Sequence, residues 1–192
     1  MAKQLSAHQF KEMYEELGYS LDKLGCIMLD LEPLSFKVNE SALYYAKDKK
    51  RFWIDGNVAS KTPHVTLLYG LVRSGPELKK HVDTVLDGHI PTEVTIDHID
   101  FFDTPPNVDE EYYCIVAHLK ITPELQAAHD RLQFLPHIDT FAGYKAHFTL
   151  CYIKKNDRTR DTLIDELNRH YKGKTIKAGA INYGGDKPDA GK

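Results

Sequence analysis

Two short motifs combine side chains that could move protons and bind phosphate. The letters HVT begin at His64 and the letters HFT at His147, and no other histidine of the ten is followed two positions later by serine or threonine. In a strand, such a histidine and threonine share one face about 7 Å apart. An imidazole exchanges protons near neutral pH, and a hydroxyl can donate to phosphate oxygens. The pattern predicts phosphodiester cleavage, with His64 and His147 as acid and base and Thr66 and Thr149 as phosphate donors.

The two motifs belong to an internal repeat with a shift of 83 residues, from position 64 to position 147. Within that repeat PHVTLLYG aligns with AHFTLCYI, and each half follows the order strand, connection, strand, helix, strand. To within a few residues, the same shift aligns the flanking elements: the strand around Cys26 with that around Cys114, the helix after Ser74 with that after Asp157, and the strand after Thr92 with that after Lys174. The repeat predicts an α+β fold with two pseudo-symmetric antiparallel sheets flanked by helices and a cleft between two lobes.

Periodicity and capping signals place the elements that must position the motifs. The predicted strands are 25–31, 63–72, 92–102, 111–121, 144–153 and 174–183. The predicted helices are 6–18, 74–88, one that opens at Thr122 and Pro123, and 157–173. In the strand 92–102, alternation places Val94, Ile96, His98 and Asp100 on one face. The chain is predicted to be a single bilobal domain, with lobe one at about 20–104, an insertion at 32–62 and lobe two at about 108–185.

Composition and charge exclude several classes of protein. With 42% hydrophobic and 28% charged residues and a net charge of −3, the chain is predicted to be globular and not to bind long nucleic acid or an anionic membrane. No apolar run reaches the ~20 residues of a transmembrane helix, and no secretory h-region is visible, so a cytoplasmic location is expected. No protein partner is indicated.

Cysteine and histidine spacing gives no sign of a cofactor or metal. Cys26, Cys114 and Cys151 lie singly in apolar runs and are expected to be small buried side chains. The other histidines, including His98, His118 and His129, have no carboxylate or second histidine at ligand spacing in the sequence. They are interpreted as structural residues, and no cofactor is expected.

The two motifs and the segments around them resemble those of a known superfamily. The paired motifs, with LGCIMLDLEP, WIDGNVASKTPHVTLLYGL, EYYCIVAHLKITPELQAAHDRL and LPHIDTFAGYKAHFTLCYIKK, resemble the 2H phosphoesterases, and among them the phage anti-CBASS phosphodiesterases. The resemblance implies a metal-independent enzyme of the host bacterial cytoplasm that degrades cyclic oligonucleotide messengers and so inhibits host immunity. It also implies aromatic stacking of bases and a polar residue from the last strand. The possible equivalents are Tyr19, Trp53, Phe102, Tyr144 and Asn182.

Two other functions stay open at this stage. A 2H phosphoesterase could act on RNA ends or 2′,3′-cyclic phosphates, although no extended basic face is visible. The local cluster beside the second motif, Lys154, Lys155, Arg158 and Arg160, is typical of a solvated helix start. A nucleotide sponge could bind the messenger without cleaving it, but a sponge needs no matched acid and base. The sequence does not choose between water and a ribose 2′-hydroxyl as nucleophile.

The long connection at 32–62 is predicted to be a surface excursion that closes over bound nucleotide. It contains Tyr44, Tyr45, Trp53 and the basic run 47–51, and it ends next to His64. Aromatic rings can stack on bases and cations can contact phosphates. Unstructured connections of this length are usually lids or binding loops.

Overall fold

The computed structural model of this protein describes residues 24–44, 63–104, 111–139 and 143–184. Tyr19, Trp53, the predicted helix 6–18 and the greater part of the predicted lid lie outside these residues. Within them no helix is long and apolar enough to span a membrane.

Six strands form one antiparallel sheet in the order β2-β1-β6-β3-β4-β5. The strands are β1 (Gly25–Leu31), β2 (His64–Leu71), β3 (Glu93–Asp103), β4 (Tyr112–Leu119), β5 (His147–Lys154) and β6 (Thr175–Gly184). Three helices occur in the described residues: α1 (Gly75–Leu86), α2 (Pro123–Leu132) and α3 (Asp157–Tyr171). The predicted α+β fold is confirmed.

The sheet consists of two three-stranded halves, and each half contains strands from both sequence repeats. β2, β1 and β6 form one half, and β3, β4 and β5 form the other. A short ladder between β3 and β6, from Glu93↔Lys177 to Thr95↔Thr175, joins them. The third strand of each repeat therefore pairs with the first strand of the other repeat, so that neither repeat forms its sheet alone.

One face of the sheet packs on the helices and forms a continuous core. Alternate strand residues supply this face, and those fully buried include Ile27, Leu29, Val65, Leu67, Ile96, Ile115, Phe148 and Leu150. Each helix begins at a capping residue. The Glu77 carboxylate accepts from the backbone N–H and the hydroxyl of Ser74 at 3.0 Å, and Thr122 accepts from the backbone N–H of Leu125. The predicted capping box at the start of α1 is confirmed.

The predicted face of β3 is wrong beyond Ile96. β3 carries one extra residue relative to β4, because Ile96 pairs with Leu119 and His98 with His118. Such a bulge reverses the alternation of side chains. Ile99 enters the core in place of His98, and His98 and Asp100 lie on the face opposite the helices.

The first part of the predicted surface excursion is instead a core segment. Leu34 and Phe36 are buried in the main apolar cluster, and Leu43 is buried as well. Asn39 caps a short 3-10 turn at Glu40–Ala42, and the Tyr171 hydroxyl donates to the carbonyl of Ser35. The physical reason is the spacing of apolar residues at 34, 36 and 38, a period of two that the neighbouring charges obscure.

The connections cover the exposed edges of the sheet reciprocally. In the first repeat, Leu43 bridges to Ile153, and the Tyr44 N–H donates to the Tyr152 carbonyl at 2.9 Å, at the edge of β5. In the second repeat, the Ile138 N–H donates to the Gly70 carbonyl at 2.9 Å, at the edge of β2. Because each connection satisfies the outer strand of the other repeat, neither edge strand is left open along these stretches.

Candidate active site

Both motifs lie on the sheet face opposite the helices, and in both a bulge adds a tyrosine to the histidine and threonine. In β2 the extra residue is Leu67, since Thr66 pairs with Met28 and Leu68 with Ile27. In β5 it is Leu150, since Thr149 pairs with Val116 and Cys151 with Ile115. Without the bulge, the tyrosine five residues after each histidine would point to the opposite face.

The bulges therefore build two matching polar rows. His64, Thr66 and Tyr69 form one row, and His147, Thr149 and Tyr152 form the other, while the intervening valine, phenylalanine and leucines are buried. The aligned repeat contains this tyrosine in both copies, but regular alternation predicts that it faces away from the histidine and threonine, so the sequence does not mark it as a site residue.

The His147 ring is held by its neighbours. Its Nδ1 lies 2.8 Å from the carbonyl oxygen of Lys145, and since a carbonyl only accepts, Nδ1 carries the proton. Nε2 is then the nitrogen that can exchange a proton with a substrate. Phe102 packs edge to face against the ring with centroids 5.0 Å apart. Phe102, a predicted binding residue, thus lies beside the motif and is 41% exposed.

Thr149 lies in a small polar cluster with Cys114 and Tyr152. Its Oγ1 is 3.8 Å from the Cys114 Sγ, and the Tyr152 hydroxyl hydrogen-bonds with both groups. Burial is the main reason that the pKa of Tyr152 is raised, so its hydroxyl stays protonated at physiological pH. Burial also raises the pKa of Cys114. Two groups with fixed protonation therefore orient the threonine hydroxyl.

The first motif has a carboxylate and an amide as neighbours. Asp30 of β1 is the cross-strand partner of His64, and Asn182 of β6 is the partner of Met28, which in turn pairs with Thr66. The Asn182 Nδ2 donates to the Asp30 Oδ1 at 3.2 Å. Asn182, which the sequence named as a possible binding residue, therefore lies next to the motif and bonds to the carboxylate beside His64.

Strands β2 and β5 are the two edges of the sheet, yet they approach each other. Tyr144, three residues before His147, donates its hydroxyl to the Thr66 carbonyl at 3.2 Å. Its ring stacks on His129, with centroids 4.1 Å apart, and the Nδ1 of His129 lies 2.7 Å from the Leu67 carbonyl. The structure thus gives Tyr144 a bridging position between the motifs, and its role in binding nucleotide stays a prediction.

Three histidines form a row across neighbouring strands. His98 of β3 pairs with His118 of β4, which pairs with His147 of β5. The His98 and His118 rings are stacked at 4.6 Å, and the His118 and His147 centroids are 6.0 Å apart. The sequence spacing of His98 and His118 predicts no second histidine or carboxylate beside them, and this prediction is wrong, because strand register and the β3 bulge bring together residues far apart in sequence.

The basic cluster beside the second motif is occupied by contacts within the chain. The Lys155 Nζ lies 3.0 Å from Asp103, and Arg160 pairs with Asp157 and Asp161 at 2.9 and 2.8 Å. The Lys154 Nζ donates to the Ser41 carbonyl at 2.8 Å. These cations stabilise the start of α3 and the nearby connection.

The three cysteines are free thiols. Cys114 and Cys151 are buried, as expected, whereas Cys26 is half-buried opposite Tyr69. Cys26 and Cys114 occupy equivalent places, each opposite the tyrosine of a motif.

The chain matches a family model and is similar to several solved structures. The model of the 2′-5′ RNA ligase superfamily matches residues 40–182, which include both motifs. Two solved structures of Kluyveromyces marxianus Usb1, one of them with uridine monophosphate, are similar to the chain at 10% and 11% identity, each with a TM-score of 0.42. The alignments cover 84% and 85% of this chain and 97% and 99% of those chains. No curated protein sequence matches the chain.

Proposed function

The chain belongs to the 2′-5′ RNA ligase superfamily, whose members are 2H phosphoesterases, and we propose that it is a metal-independent phosphodiesterase that hydrolyses 3′–5′ bonds of cyclic di- or trinucleotides. We further propose that it serves a phage in the host bacterial cytoplasm as an inhibitor of CBASS immunity. The carrying observation is the repeated set of histidine, threonine and tyrosine on one face of two edge strands that approach each other.

The proposed reaction is an in-line displacement at phosphorus. Water, or the neighbouring ribose 2′-hydroxyl, attacks, and the bond from phosphorus to the leaving oxygen breaks. One of His64 and His147 accepts the proton of the nucleophile while the other donates a proton to the leaving oxygen. Thr66 and Thr149 donate to the non-bridging oxygens, where charge develops. Acid, base and phosphate donors are all side chains of this chain, so the mechanism requires no cofactor.

The surroundings of the motifs favour a small substrate. Three of the four cations in the basic cluster bind carboxylates or a carbonyl of the same chain, which leaves them poorly suited to track an RNA backbone. The Phe102 ring, which packs edge to face against His147, is 41% exposed, and a base could pack there. Together with the net charge of −3, these features support a short nucleotide as substrate.

The name of the family supports a second candidate, a phosphoesterase that acts on RNA ends or 2′,3′-cyclic phosphates. It would use the same two histidines and two threonines, so the site alone favours neither substrate. A sponge that binds without cleavage is the third candidate. These three functions differ in what remains of each substrate after incubation.

The test is chromatography of a nucleotide panel after incubation with protein in EDTA, followed by denaturation. The panel contains cyclic di- and trinucleotides, linear dinucleotides, RNA oligomers and 2′,3′-cyclic phosphates. For each substrate, cleavage by the native chain is compared with cleavage by His147→Ala and by His81→Ala, an exposed control on α1. We expect linear products from cyclic substrates, with His81→Ala as active as the native chain. Faster turnover of RNA or 2′,3′-cyclic phosphates would establish the second candidate, and quantitative recovery of intact ligand would establish the sponge.

A further inference from the structure

A second set of chemically active side chains lies beside the second motif. Among the described residues, His98, Asp100 and His118 each offer a ligand atom, and these atoms all lie within 4.8 Å of one another. His98 and Asp100 are two residues apart on β3, so they share a face, and His118 lies directly across from His98 on β4. The proposed phosphodiesterase reaction uses none of the three.

A neighbouring carboxylate already orients the ring of His98. The Asp97 Oδ2 lies 2.8 Å from the Nδ1 of His98, and the two groups also form an ion pair when the ring is charged. A carboxylate on one ring nitrogen leaves the other nitrogen as the metal ligand, a pattern that recurs around metal-bound histidines. Nε2 of His98 is thus available on the side of the ring away from Asp97.

The other two ligands lie on the same face as His98. His118 is half-buried on β4, directly across the ladder from His98, and Asp100 is exposed two residues further along β3.

We propose that His98, Asp100 and His118 bind one transition-metal dication, with Zn²⁺ as the best match. Two imidazoles and one carboxylate are a common three-ligand set for zinc, and they leave one coordination position open. The His98 and His118 rings are stacked 16° from parallel, so one ring must rotate for both nitrogens to bind the same ion. Exposure of Asp100 and partial exposure of His98 keep that position accessible from solvent.

The bound metal would lie beside His147, whose ring centroid is 6.0 Å from that of His118. The metal site does not rest on the proposed function.

The binding test uses the full chain without any purification tag, stripped of metal and titrated with Zn²⁺ by calorimetry. We expect one site per chain, weakened at least about 10-fold in Asp100→Asn and His98→Ala and unchanged in His81→Ala. Asp97→Asn should weaken binding about 10- to 100-fold, as losses of carboxylate partners of ligating histidines do. Asp100 is exposed, so its variant keeps the test valid if a histidine variant fails to fold.

The cobalt spectrum is the second readout. Co²⁺ should give visible absorption bands of nitrogen and oxygen ligation in the native chain and lose them in Asp100→Asn. Equal zinc affinity of the native chain, Asp100→Asn and His98→Ala would overturn the proposal. Neither readout involves a nucleotide, so loss of the proposed enzymatic function would leave the result intact.

Discussion

At the scale of single residues, the threonine hydroxyl of the second motif depends on two neighbours. Cys114 and Tyr152 contact Thr149, and burial keeps the Tyr152 hydroxyl protonated. A hydroxyl that must donate to a phosphate oxygen benefits from a fixed orientation. Tyr152 is thus a positioning residue that acts through Thr149.

A double-mutant cycle tests this dependence. Thr149→Val should lower turnover less than loss of a histidine does, and Tyr152→Phe should lower it no further than Thr149→Val. The double variant should be no slower than Thr149→Val alone, because both changes remove the same donor. Tyr113→Phe, whose hydroxyl bonds to Asp157 instead, is the control. Fully additive losses in initial rates would contradict the positioning role.

At the scale of elements, the edge of β2 depends on a close approach of two backbones. Gly70 has φ of +102°, and a Cβ placed there would lie 2.3 Å from the Ile138 carbonyl oxygen. Gly143 has φ of +79°, and no atom of the described residues lies within 4 Å of a Cβ placed there. Alanine at Gly143 therefore measures the cost of the backbone conformation without that of the clash.

Alanine substitutions at these glycines should differ in stability. Gly143→Ala should lower the free energy of unfolding by about 1–2 kcal/mol, the cost of a left-handed conformation. Gly70→Ala should lower it by clearly more, because the connection that covers β2 must also move. Urea denaturation measures both values. Equal losses in the two variants would show that the connection does not depend on this contact.

The predicted lid at 32–62 is an element whose closure over nucleotide can be tested. Its start, up to Tyr44, is anchored to β5, and the part that carries Trp53 lies outside the described residues. Trp53 is the only tryptophan, so its emission reports on this segment. We expect an emission change when the His147→Ala variant is titrated with cyclic dinucleotide. A flat titration, together with native kinetics after shortening of the segment, would exclude a lid.

Much of this architecture could be predicted from the sequence, and the failures have common physical causes. Continuous apolar strands and caps such as Ser74 and Thr122 gave element positions to within a few residues, since both signals are local. The bulge in β3 and the histidine row could not be found this way, because they arise from pairing between distant segments. The burial of Leu34 and Phe36 had a local signal, a period of two hidden among charges.

At the scale of the whole molecule, the two repeats form one interlocked unit. Each repeat gives its third strand to the sheet of the other, and each connection covers an edge of the other. The two copies of the motif thereby lie on β2 and β5, two edge strands that approach each other, while their surroundings differ. Asp30 and Asn182 flank His64, whereas His118 and Phe102 flank His147. Two histidines in different surroundings suit a reaction that needs one acid and one base.

The overall charge makes a prediction about substrate size. With a net charge of −3 and its basic cluster largely paired, the chain should release few counterions on binding. For the His147→Ala variant and a cyclic dinucleotide, the logarithm of affinity should fall with the logarithm of salt concentration with a slope no steeper than about −2. A slope of many units, or tighter binding of long RNA, would favour the RNA candidate.

The central claim is that His64 and His147 together supply the acid and the base. The most direct measurement is the cleavage rate of a cyclic dinucleotide by His64→Ala and His147→Ala, in EDTA, beside the His81→Ala control. We predict that each of the first two variants loses about 10²- to 10⁴-fold in turnover while its circular dichroism spectrum stays native, and that the control loses nothing. A native rate in either folded variant would contradict the two-histidine mechanism.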